Sequence, residues 1–87
     1  MRKVIATLTI IENNRVLEVQ KLVENRKNKR PYSVFTEMRG YYGPNSNSNY
    51  GSLEKAVKAV SLTIQFVEAN DERTYELNDP QGLIPTK

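Results

Sequence analysis

The densest chemical feature of the chain is Arg26-Lys27-Asn28-Lys29-Arg30, four cations in five residues. Cations clustered this closely suit phosphate, because each can displace a condensed counterion from a nucleic-acid backbone. Tyr32, Tyr41, Tyr42 and Tyr50 follow the cluster, with Arg39 among them. A tyrosine ring stacks on a base while a neighbouring Arg or Lys holds the phosphate. The expected interface therefore has Arg26, Lys27, Lys29 and Arg30 on phosphates, Arg39 at its centre, and Tyr41 or Tyr42 stacked on a base. Tyr32 and Tyr50 directly abut structural elements and read as rim residues of a small core; Phe35 and Phe66 read as core. The plainer use of such a tip is to solubilise a hairpin and blunt a sheet edge.

Charge is segregated along the chain. From Arg15 to Arg39 there are seven basic and three acidic residues, whereas from Glu68 to Asp79 there are five acidic residues and one Arg. The acidic group supports a reading of a different class. Glu68, Asp71, Glu72 and Glu76 would meet a basic protein, or mimic nucleic acid against an enzyme that binds it. A small inhibitor or adaptor of the kind that phages and mobile elements encode, acting on a host protein, has this make-up.

Other chemistry is poorly supplied. Among the 87 residues there is no His, no Cys and no Trp, which removes the usual zinc ligands, disulfides, thiolate nucleophiles and His-based triads. The carboxylates show no ligand spacing for a hard cation, and no general base near neutral pH stands out. No phosphate-binding loop ending in Gly-Lys-Ser/Thr occurs. A non-enzyme with no cofactor and no metal is the expectation.

Apolar residues make up 38% of the chain, and the mean hydropathy is −0.63. Lys58, Ser61, Thr63 and Gln65 interrupt the apolar-biased run from Ala56 to Val67, so it does not suit a bilayer. The sequence is expected to be cytoplasmic, in the host cytoplasm if a phage encodes it, and to bind no membrane.

The elements that must position these residues follow from patterning. Residues 4–11 are rich in β-branched side chains and read as a strand; 15–24 read as a second, joined to it by Asn13-Asn14, which tolerates the positive φ of a hairpin turn. A third strand runs from Tyr32 to about Arg39 or Tyr42. It places Tyr32, Val34, Thr36 and Met38 on one face, and Ser33, Phe35, Glu37 and Arg39 on the other. Gly43 to Asn49 reads as a polar, flexible loop.

A helix is expected from Leu53 to about Ala69, capped by Ser52. Its apolar stripe is Leu53, Val57, Val60, Ile64 and Val67. Ala59, Leu62 and Phe66 widen that stripe beyond what one small sheet needs; a homodimer would cover the surplus, as would the first strand, apolar on both faces, by wrapping around it. Arg73 to Leu77 reads as a short edge strand, and residues 79–87 as a loose tail after a domain of residues 1–78. The fold class is α+β: a three- to four-stranded antiparallel sheet with one helix across a face. That helix is too apolar to lie free in a DNA groove, so sequence-specific duplex reading is not expected.

The segments Leu17 to Leu22, Tyr32 to Gly40, Tyr50-Gly51-Ser52-Leu53-Glu54-Lys55-Ala56 and Thr74-Tyr75-Glu76 occur in an order that resembles the WGR domain. This is a DNA-binding module of poly(ADP-ribose) polymerases and some bacterial proteins. The resemblance spans about two thirds of the chain. Met38-Arg39-Gly40 stands where the Trp-Gly-Arg signature would, so Arg39 is the residue that carries over. The resemblance implies a sheet backed by a helix and contact with DNA, rather than RNA, near strand ends.

Overall fold

The computed structural model describes residues 2–39 and 44–85. Strand β1 (Arg2–Glu12) and strand β2 (Arg15–Asn25) form a long antiparallel hairpin. It turns at Asn13 and Asn14, with φ of 53° and 61°; Asn accepts this left-handed backbone better than most residues. Strand β3 (Tyr32–Met38) pairs with β2, strand β4 (Ser46–Tyr50) with β3, and strand β5 (Arg73–Asn78) with the free edge of β1. The sheet is antiparallel throughout, in the order β4-β3-β2-β1-β5. Helix α1 (Leu53–Glu68) lies across one face. The architecture is α+β, as the patterning predicts.

The two sides of the sheet differ in chemistry. On the helix side, Ala6, Leu8 and Ile10 of β1, Leu22 of β2 and Val34 of β3 pack with Ala56, Val60, Ile64 and Val67 of α1. Helix α1 starts as its sequence predicts, with the Ser52 Oγ accepting the Lys55 N–H at 3.3 Å. Buried Gln20 donates from Nε2 to the Thr63 hydroxyl at 3.1 Å, and Thr63 donates to the Ala59 carbonyl. This chain ties the helix to β2 at one register. The opposite side has no helix. One row crosses all five strands there, Asn78-Thr7-Lys21-Phe35-Asn47.

Three expectations are corrected. The segment expected as a flexible loop instead supplies β4, a strand of Ser-Asn-Ser-Asn-Tyr. Its residues have low strand propensity, so pairing holds it. Ser48 sits opposite Val34, Tyr50 opposite Tyr32, and the Asn45 Oδ1 accepts the Met38 N–H at 3.0 Å.

The expected core residue Phe66 is 70% exposed, and Leu62 on the same side of the helix is 52% exposed. At about 100° per residue, Phe66 turns away from Val67 and the sheet.

The expected loose tail returns to the protein: Ile84 is 5% exposed and belongs to the core cluster. The Asp79 carboxylate fixes this return by accepting the N–H groups of Leu83 and Ile84 at 3.0 and 2.7 Å. Asp79→Ala leaves both donors without that acceptor and is expected to lower stability by about 1–3 kcal/mol. Urea unfolding measures it, and an unchanged midpoint would show that the tail is held by Ile84 alone.

Candidate nucleic-acid interface

The connection between β2 and β3 is closed by the Asn25 N–H donating to the Pro31 carbonyl at 2.6 Å. Within it the Asn28 N–H donates to the Asn25 carbonyl, and the Asn25 Oδ1 accepts the Lys27 N–H at 3.3 Å. The side chain of Asn25 thus builds the local turn. Arg26, Lys27, Lys29 and Arg30 all project from it into solvent. Arg26 lies 3.5 Å from Glu24, which also accepts the Tyr32 hydroxyl at 3.2 Å. Among the described residues, Lys27, Lys29 and Arg30 form no ion pair.

Strand pairing enlarges this cluster. Arg2 stands opposite Asn25, and Lys3 opposite Glu24. Six cations therefore share one end of the sheet with a single acidic residue of β2. The sequence reading missed Arg2 and Lys3, although counting back along the hairpin from Asn13-Asn14 reaches them.

Arg39 is not at the centre of this cluster. It follows β3 at the end remote from the tip, roughly 25 Å from Pro31 at the rise of a strand, and it pairs with Glu37 at 3.1 Å. Lys21 pairs with the same Glu37 at 3.7 Å. Tyr41 and Tyr42 lie outside the described residues. Tyr32 and Tyr50 face each other across β3 and β4 and pack against the core, in keeping with a rim role.

The acidic residues gather elsewhere. Helix α1 ends at Glu68, Asp71 and Glu72 lie in the following turn, and Arg73 stands opposite Glu12, which it contacts at 3.1 Å. This is the Asn13-Asn14 end, opposite the basic tip. Glu76 lies apart from these three, on the helix-free face opposite Thr9. Exposed Phe66 and Leu62 belong to the outer face of the same helix.

A second missed feature lies beside the basic tip. On the helix-free face, a cavity of about 280 Å³ is lined by Arg2, Val23, Asn25, Asn28, Ser33, Phe35, Asn47 and Asn49. Phe35, read from the sequence as core, faces this cavity. Its ring belongs to the side of β3 that α1 does not cover. Among the described residues, no group of three His, Cys, Asp or Glu is placed to hold a metal, and no helix is long and apolar enough to cross a membrane.

No family model matches the chain, and no curated protein or solved structure matches it significantly.

Proposed function

We propose that the protein is a small, non-enzymatic nucleic-acid-binding module. It grips the phosphate backbone with Arg2, Lys3, Arg26, Lys27, Lys29 and Arg30. The observation that supports this reading is that strand pairing puts all six of these exposed residues at one end of the sheet. Nothing in the packing of the core calls for them there, and like charges held together raise the cost of folding unless an anion meets them. Arg39, the residue that the WGR resemblance carries over, lies outside this grip, so the proposal rests on the tip.

Fluorescence anisotropy with labelled single-stranded and duplex DNA, from about 50 to 300 mM salt, tests it. Binding tighter than the non-specific range of about 10⁻⁴–10⁻⁶ M, with a steep fall as salt rises, is the expected result. Absence of binding at the lowest salt would overturn it.

A protein partner is the second reading, favoured by one observation. Exposed Phe66 and Leu62 share the outer face of α1 near Glu68, Asp71 and Glu72. An apolar patch edged with acid suits a basic partner protein. A second copy of this chain, with Lys55 and Lys58 of one helix set against the acidic end of the other, has the same complementarity. Failure of the DNA titration would make this reading the leading one.

A further inference from the structure

The cavity on the helix-free face joins two kinds of group that a nucleobase uses. Phe35 offers an aromatic ring in the middle of the sheet, between Lys21 on β2 and Asn47 on β4. Val23 lies in the floor and is 1% exposed. Asn25, Asn28, Asn47 and Asn49 line the cavity with it, together with Ser33 and Arg2. At about 280 Å³, the space falls just below the usual range for drug-sized ligands. It suits one flat ring system.

The two asparagines of β4 set a donor beside an acceptor. The Asn47 Nδ2 donates to the Asn49 Oδ1 at 3.1 Å, which orients both amides. The Asn47 Oδ1 and the Asn49 Nδ2 then remain for a ligand, and neither makes another side-chain hydrogen bond among the described residues. An acceptor next to a donor matches the edge of an unpaired base, on which a donor and an acceptor are likewise adjacent.

We propose that this cavity receives one unstacked base of a bound DNA strand. Phe35 is the stacking platform, and the Asn47-Asn49 pair reads the base edge. The inference deepens the nucleic-acid reading and rests on it. It also specifies the form of the nucleic acid, because a base can reach Phe35 only from a single strand or an opened duplex. Arg2 connects the two parts: it lines the cavity and belongs to the cationic end, so a phosphate held there places its own base over the sheet.

The experiment compares three single-stranded DNA oligonucleotides of equal length at fixed salt: oligo-dA, oligo-dT and an abasic strand. The wild-type protein is expected to prefer oligo-dA to the abasic strand by on the order of tenfold, the scale of one aromatic-base stack. Phe35→Leu keeps an apolar side chain, and circular dichroism checks the fold. It should remove most of the preference for bases while leaving the salt dependence unchanged. Asn47→Ser with Asn49→Ser on the exposed edge strand should narrow the gap between the two base-bearing strands and the abasic strand without closing it. Equal affinity of the wild type for oligo-dA and the abasic strand, with a normal salt slope, would overturn the base pocket and leave the phosphate grip standing. Binding to none of the three strands would overturn both.

Discussion

Replacing Arg26, Lys27, Lys29 and Arg30 together by Ser is expected to lower affinity for DNA on the order of 10²–10³-fold near 0.1 M salt. It should also flatten the dependence of log K on log salt by about 3. The magnitude follows from counterion release: each phosphate contact contributes about 0.7–0.9 to the slope, and four contacts act in parallel. Stability should not fall, and relief of the repulsion within the tip favours a small gain. All four side chains are exposed, and the single ion pair lost, Arg26 with Glu24, has an Arg side chain that is 84% exposed; such pairs contribute little. The turn itself depends on Asn25 and on backbone bonds that the substitutions leave in place.

Arg39→Ser is the matched comparison, since it removes one cation from the far end of β3. An equal loss from Arg39→Ser alone would move the interface away from the tip and towards the site that the WGR resemblance implies. Loss of affinity with an unchanged slope would mean that the loop cations shape the tip without touching phosphate.

Much of this arrangement can be read in the chain, and the exceptions have physical causes. The β1-β2 hairpin follows from Asn13-Asn14 and the β-branched runs around it. Two bulges then complicate it. An extra residue at Leu17 on β2 shifts the register, and an extra residue at Ile5 on β1 restores it. Because the two cancel, Arg2 meets Asn25 as an unbroken hairpin would place it. Between the bulges the faces are fixed by packing, which no local pattern announces.

Strand β4 was hidden for a related reason. Ser46 to Asn49 carry no apolar alternation, and a polar edge strand makes sense only once β3 is there to pair with it. With β4 hidden, the Asn47-Asn49 pair and the cavity beside it were hidden too. The alternation of β3 did separate Phe35 from Val34. By residue type Phe35 suits a core, whereas its face puts it on the side without a helix.

The same contrast between residue type and position sets the largest expected effect on stability. Ile84→Ala should cost about 2–4 kcal/mol, whereas Phe66→Ala, the removal of a larger side chain, should stay within about 0.5 kcal/mol. The sequence alone points the other way, since Phe66 sits in a strongly apolar helix and Ile84 in a short polar tail. Position decides. Ile84 is 5% exposed within the cluster that includes Ile5, Leu8 and Val60, while Phe66 is 70% exposed.

A chain of this size is stable by only about 4–13 kcal/mol, so an Ile84→Ala loss of that order shifts a urea midpoint plainly. The fold has a reason to use the tail. Strand β5 pairs with β1 only as far as Thr7, so nearer the N-terminus the hairpin edge has no strand partner there, and Ile5 must find its cover elsewhere. Asp79 reverses the chain at that place and brings Ile84 into the cluster that holds Ile5. A cost below about 1 kcal/mol for Ile84→Ala, with Phe66→Ala the more damaging, would mean that the tail does not close the core. The outer face of the helix would then be buried in solution by something other than this single chain.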